Sequence, residues 1–172
     1  MRQEARGDLV CSRHLNGVAM TTEECFEAAV QVEHLMRDIY VGLAERYAGD
    51  PARTEMFRTL AEEEEQHAHR IRLLARTQDA GTWAKDTAAR IARNLDAMSA
   101  ELLAMVAELS DDFEGAPRED LLRRVMDAEH HCSSIHAEVL AQTAEIDVQL
   151  LFSALAKQDV RHKAMLEKAL AS

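Results

Sequence analysis

Apolar residues recur along this chain at three- and four-residue intervals, the spacing that lines one face of an α-helix. A first stripe, Phe26, Val30, Met36, Tyr40, Leu43 and Tyr47, is broken by Gly49-Asp50-Pro51. Ahead of it, Thr21-x-x-Glu24 has the form of a capping box, in which each side chain satisfies a free backbone N–H at the helix start. Asp50 then supplies an N-cap and Pro51 a first-turn proline for a second helix. Its stripe is Phe57, Leu60, Ile71 and Leu74, with an end expected near Gly81. Thr82 is expected to cap a third helix whose stripe is Ile91, Leu95, Met98, Leu102, Met105 and Leu109. At ~1.5 Å per residue that helix is about 40 Å long, enough to travel back along a bundle. A loop is expected over Asp111 to Asp120, around Gly115 and Pro117. A fourth helix follows with Leu122, Val125, Cys132 and Val139 on one face. A break near Thr143 to Asp147 leads to a fifth, with Phe152, Leu155 and Leu166. The pattern predicts an all-α fold over residues 21–172, a four-helix bundle made of two helical hairpins joined by a long helical crossover. Residues 1–20 lack periodicity and are expected to form a flexible N-terminal arm.

Ionisable residues interrupt these stripes in a repeated way. The second helix reads Phe57–Leu60–Glu64–His67–Ile71 and the fifth reads Phe152–Leu155–Asp159–His162–Leu166, identically spaced and 95 residues apart. A carboxylate and an imidazole three residues apart share a helix face, roughly 5–6 Å apart at Cβ. Glu33 and Glu129 intrude likewise into the first and fourth stripes, and residues 33–40 align with 129–136 at an offset of 96. The one-residue difference fits in the turn between helices. Because the polar intruders repeat along with the apolar positions, the two hairpins read as an internal duplication. Buried unpaired charge is very costly, so these groups need partners. Glu33, Glu64, His67, Glu129, Asp159 and His162 are the candidate metal ligands. They comprise one carboxylate from each of two helices and a carboxylate-x-x-His pair from each of two others, the arrangement of dinuclear carboxylate sites in helical bundles. Two divalent ions bring four positive charges, which four carboxylates cancel. Carboxylate with imidazole suits iron or manganese, and the lack of a thiolate cluster argues against structural zinc.

Plainer readings apply to neighbouring residues. Glu62 and Glu65 belong on a solvated face, since four consecutive glutamates cannot all point inward. His34, His69, His130 and His131 are expected at the surface, and Cys132 as a small core residue. The alternative for Glu33 and Glu129 is pairing with arginines, and for Asp159–His162 a simple ion pair.

Composition narrows the function classes. A length of 172 residues fits one domain, and the net charge of −11 argues against nucleic-acid or anionic-membrane partners. Cys11, Cys25 and Cys132 are scattered with no CxxC, which excludes a zinc-ribbon module and suits a reducing compartment. No apolar run approaches the roughly 20 residues of a membrane helix, and the charged N-terminus does not resemble a signal peptide. The expected location is the cytoplasm.

Taken together, these motifs resemble rubrerythrin-type, ferritin-like di-iron carboxylate proteins over about residues 22–170. The resemblance is carried by Glu33 with Tyr40 seven residues later, by Glu63-Glu64-Glu65-Gln66-His67, by Glu129, and by Asp159-Val160-Arg161-His162. It implies a ferritin-like bundle holding two iron ions, with manganese or a mixed pair as the alternative. It further implies that Glu64 and Glu129, or their counterparts, bridge the ions and that His67 and His162 each bind one. Tyr40 would stand beside the site as a hydrogen-bond donor or transient electron source. His136, at Tyr40's place in the second hairpin, would be either a donor behind the ligands or an additional ligand. The implied activity is a di-iron oxidoreductase (peroxidase or oxidase) that reacts with hydrogen peroxide or dioxygen. Ferroxidation with iron storage or delivery, and hydroxylation of an organic substrate, are the alternatives. The family's rubredoxin module is not found here, so the expected electron donor is another protein, and the expected assembly a homodimer or larger homo-oligomer. The chain departs from the family in its second hairpin. Asp159 replaces the usual Glu, Gln158 replaces an acidic residue, and Cys132 stands where peroxidase rubrerythrins have an additional carboxylate. The site is therefore expected to be asymmetric there.

Overall fold

The structure, a computed structural model, describes residues 21–77, 85–110 and 118–171. The expected N-terminal arm, the Thr82 cap and residues 111–117 of the expected loop lie outside them. Five helices follow one another: α1 Thr22–Arg46, α2 Pro51–Ala75, α3 Lys85–Ser110, α4 Arg118–Gln142 and α5 Ile146–Ala171. No strand occurs among the described residues.

Helix starts follow local chemistry. The Thr21 hydroxyl accepts from the Glu24 backbone N–H at 3.2 Å while the Thr21 N–H donates to the Glu24 carboxylate at 2.8 Å, closing the capping box. Asp50 Oδ1 accepts from the Arg53 N–H at 3.1 Å with Pro51 in the first turn. Two boundaries differ from the sequence expectation. Helix α2 ends at Ala75 rather than near Gly81. Helix α4 begins at Arg118, inside the expected loop, with Glu119 and Asp120 in its first turn, where carboxylates favour the positive end of the helix dipole.

Helices α1 and α2 form one hairpin and α4 and α5 the other. Cys25 Sγ of α1 donates to the Ala88 carbonyl near the start of α3, and Arg46 near the end of α1 donates to the Glu108 carbonyl near the end of α3. The two helices therefore run parallel. Glu138 pairs with Arg90 and Glu108 with Arg124, so α3 and α4 are antiparallel. The crossover helix α3 thus packs on both hairpins, burying Ile91, Leu95, Met98, Leu102 and Met105. Helices α2 and α5 pack directly, whereas no Cα of α1 comes within 8 Å of a Cα of α4 among the described residues. That splayed side of the bundle is spanned by long side chains. The apolar members of the repeated phrase, Phe57, Leu60, Ile71, Phe152, Leu155 and Leu166, are all buried, and they fix the phase at which the polar pairs enter the core.

Gly42 lets α1 pack tightly on α3: a Cβ built there meets Leu109 Cβ at 3.1 Å and Leu109 Cδ1 at 3.2 Å. Gly42→Leu is expected to overpack this contact and cost about 1–3 kcal/mol, read as a lowered melting temperature. Combining it with Leu109→Ala should cost less than the two changes made separately. Strict additivity would show that the two helices do not meet there.

Candidate metal centre

All six candidate ligands, together with Tyr40 and His136, are at most 4% exposed. Helix α1 contributes Glu33 and Tyr40, α2 Glu64 and His67, α4 Glu129 and His136, and α5 Asp159 and His162. The i,i+3 and i,i+7 spacings put each helix's contributors on the face that points into the bundle.

Two triads result, Glu33–Glu64–His67 and Glu64–Glu129–His162, and within each the ligand atoms all lie within 4.8 Å of one another. Glu64 belongs to both, and its two oxygens are divided between them. Glu64 Oε2 is 3.0 Å from His67 Nδ1, and Glu64 Oε1 is 2.9 Å from His162 Nδ1. Glu33 Oε2 completes the first triad at 3.2 Å from His67 Nδ1, and Glu129 Oε1 the second at 3.3 Å from His162 Nδ1. The two imidazole rings stack with centroids 5.6 Å apart and planes 12° from parallel. Two donor atoms, Glu33 Oε1 and His162 Nδ1, are buried with no aligned hydrogen bond. Each nevertheless lies within ion-pair distance of an oppositely charged group of the cluster, and loss of the imidazole protons would turn these same atoms into ligands for a cation. These buried Glu and His groups can hold a metal ion.

Asp159 stands apart from both triads, held by His136 Nδ1 at 2.8 Å. His136 Nε2 lies 3.2 Å from Glu33 Oε1. Glu33 thus faces two imidazoles rather than an arginine, and the partner of Asp159 is His136 rather than His162. On the other hairpin, Tyr40 donates its phenolic proton to Glu129 Oε1. The two contacts are reciprocal, because each hairpin's i+7 residue reaches the other hairpin's glutamate.

Two further residues complete the centre. The outer nitrogen of His162 is 2.7 Å from Glu63 Oε2, and that of His67 is 3.0 Å from Gln158 Oε1. Arg161 pairs with Glu63, and Arg70 donates to Gln158 Oε1 at 3.1 Å. In the sequence Gln158 stands out only as a departure from an acidic pattern, and Glu63 only as a member of the glutamate run before His67. The available signal was their shared position, one residue before each stripe carboxylate. Of the histidines expected at the surface, His69 and His130 are exposed while His34 and His131 are half-buried. His34 sits between helices, 3.8 Å from Glu65. Glu62 and Glu65 are exposed as expected. Cys132 is buried with its Sγ 3.8 Å from Met98 Sδ, and burial beside the carboxylates pushes its thiol well above the usual range.

Without an ion the imidazoles must balance the carboxylates. Burial opposes charge on His67, but its bonds to Glu33 and Glu64 outweigh this and raise it to about 10. His136 is likewise opposed by burial, yet Asp159 and Glu33 raise it to about 10. His162, beside Glu129 and Glu64, rises to about 11 against the same opposition. Burial, with Glu129 alongside, pushes Glu64 up to about 8. Glu33 resists the upward push of burial, and His136 and His67 hold it well below the carboxylate range.

These imidazoles are raised above their ordinary 6.5, so their stabilisation is complete below that pH and disappears as pH climbs to about 10–11. The melting temperature of metal-free protein should therefore fall between pH 7 and pH 11, and a flat profile would contradict the charged assignment. Metal loading at pH 7 should release protons, so the binding heat should change with the ionisation enthalpy of the buffer. Comparison of the chain with protein-family models, curated proteins and solved structures finds no match.

Proposed function

We propose that this chain is a rubrerythrin-type, ferritin-like di-iron oxidoreductase that reacts with hydrogen peroxide or dioxygen and is re-reduced by an external electron donor. The observation that carries the reading is the division of Glu64, with one oxygen facing each imidazole. A carboxylate placed this way could serve two ions at once, and Glu33 with His67 and Glu129 with His162 are the residues that would hold one each. The donor set is oxygen with imidazole nitrogen and no thiolate, which suits iron or manganese. Two divalent ions match the four buried carboxylates in charge. When bound, an iron pair supplies two electrons at one place, the number needed to reduce one hydrogen peroxide, with two protons, to two waters.

The surrounding side chains fit that role. Glu63 and Gln158 hold the imidazoles with Nδ1 turned inward, and such outer partners fix ring orientation and tautomer. Tyr40 holds Glu129 by a buried hydrogen bond and lies edge-on to His162 with ring centroids 6.5 Å apart. Its phenol is kept protonated, because burial and Glu129 raise it well above its ordinary value. His136 fixes Asp159 and faces Glu33, filling the splayed side between α1 and α4 beneath α3.

Aerobic loading with excess Fe(II) is expected to saturate near two irons per chain. Glu64→Ala should lose both, since both triads contain it, and a variant that keeps the parent's metal content would remove the centre from these residues. In stopped flow, the iron-loaded, reduced protein should be oxidised by peroxide or by dioxygen, and failure of both to oxidise it would overturn the oxidoreductase assignment. Uptake far beyond two irons would turn the assignment to iron storage.

A further inference from the structure

Resting on that dinuclear reading, we infer that the two metal positions are unequal and fill in order, the Glu64–Glu129–His162 position first, with Glu63 as the positioning residue that makes it tighter. Two contacts favour that position. First, the outer nitrogen of His162 is held by a carboxylate, Glu63, at 2.7 Å, whereas that of His67 is held by a neutral amide oxygen, Gln158, at 3.0 Å. A carboxylate behind a ligating imidazole draws its N–H proton, raises the electron density at the opposite nitrogen and strengthens the metal bond. An amide oxygen does this more weakly.

Second, the cations behind these partners act unequally. Arg161 pairs with Glu63, whose own negative charge it offsets at an exposed position. Arg70 instead donates to the uncharged Gln158, which places a positive charge behind His67 with no carboxylate between them. The terminal carboxylates do not add to this difference. Tyr40 donates to Glu129 Oε1, the oxygen that faces His162, whereas His136 Nε2 lies 3.2 Å from Glu33 Oε1 and leaves Glu33 Oε2 to face His67. The sequence duplication would make the positions equivalent, and the inequality comes from Gln158 opposite Glu63.

The test is anaerobic titration of metal-free protein with Co(II), followed by visible absorption and calorimetry. Two successive binding events are expected in the parent. Glu63→Gln should weaken the first about 10–100-fold, the range for loss of such an outer partner, and leave the second nearly unchanged. Gln158→Glu should tighten the second event and narrow the gap. That gain of affinity is something a purely structural role would not give, and it stands as a test even if Glu63→Gln folds poorly. Two indistinguishable cobalt ions, or a Glu63→Gln effect confined to the second event, would overturn the filling order while leaving the dinuclear centre intact. Absence of cobalt binding altogether would overturn both.

Discussion

Glu33, Glu64, Glu129 and Asp159 place four carboxylates in the interior of a chain otherwise packed with leucine, methionine and phenylalanine. Left alone, such charges would cost more than a domain's whole net stability. The bundle is organised around supplying positive charge to them. Three imidazoles do so in the metal-free protein, and metal ions can do so in their place, with the imidazoles then acting as neutral ligands. Protons and metal ions are thus alternative occupants of one electrostatic position, which ties folding of the core to its chemistry.

That requirement also shapes the helix packing. Helices α2 and α5 approach closely, so that His67 can reach Gln158 and His162 can reach Glu63 across the seam. Helices α1 and α4 stand apart, leaving room for Tyr40 and His136 to cross between them, and α3 packs on both hairpins on that side. The contacts of His67 with Gln158, His162 with Glu63, Tyr40 with Glu129 and His136 with Glu33 each join one hairpin to the other, so a register slip between the hairpins would leave buried groups unsatisfied. The apolar stripes allow several registers, and the polar contacts choose among them.

The fold was legible in the sequence because its signals are local. Thr21-x-x-Glu24 and Asp50-Pro51 act within one turn, and stripe phase follows from helical geometry alone. The burial of Glu64 and His67 was equally legible, since both fall between Leu60 and Ile71 on one face. What could not be read are contacts across the bundle. Gln158 lies 91 residues from His67, and Glu63 lies 99 from His162, separations that no periodicity encodes. Nor could the sequence show that Glu64 alone is common to both triads while Asp159 turns to His136. That depends on the shorter reach of Asp159 and on how far α1 stands from α4. Helix α2 ends before Gly81 because Thr77 turns its hydroxyl and its backbone N–H onto the Leu74 carbonyl, a local competition with the helix that the apolar stripe does not register.

The crossed contacts along the α2–α5 seam have a kinetic consequence. An ion held by Glu64 would be enclosed by side chains anchored in both hairpins, because Glu33 and His67 come from one and Glu129 and His162 from the other. Glu63 and Gln158 tie those hairpins together behind the two imidazoles. A parting of α2 from α5, a sub-global excursion of the native state, would break both ties at once. The lifetime of an ion held there would then follow how often the two halves of the duplication part, and such a site would trade rapid exchange for retention.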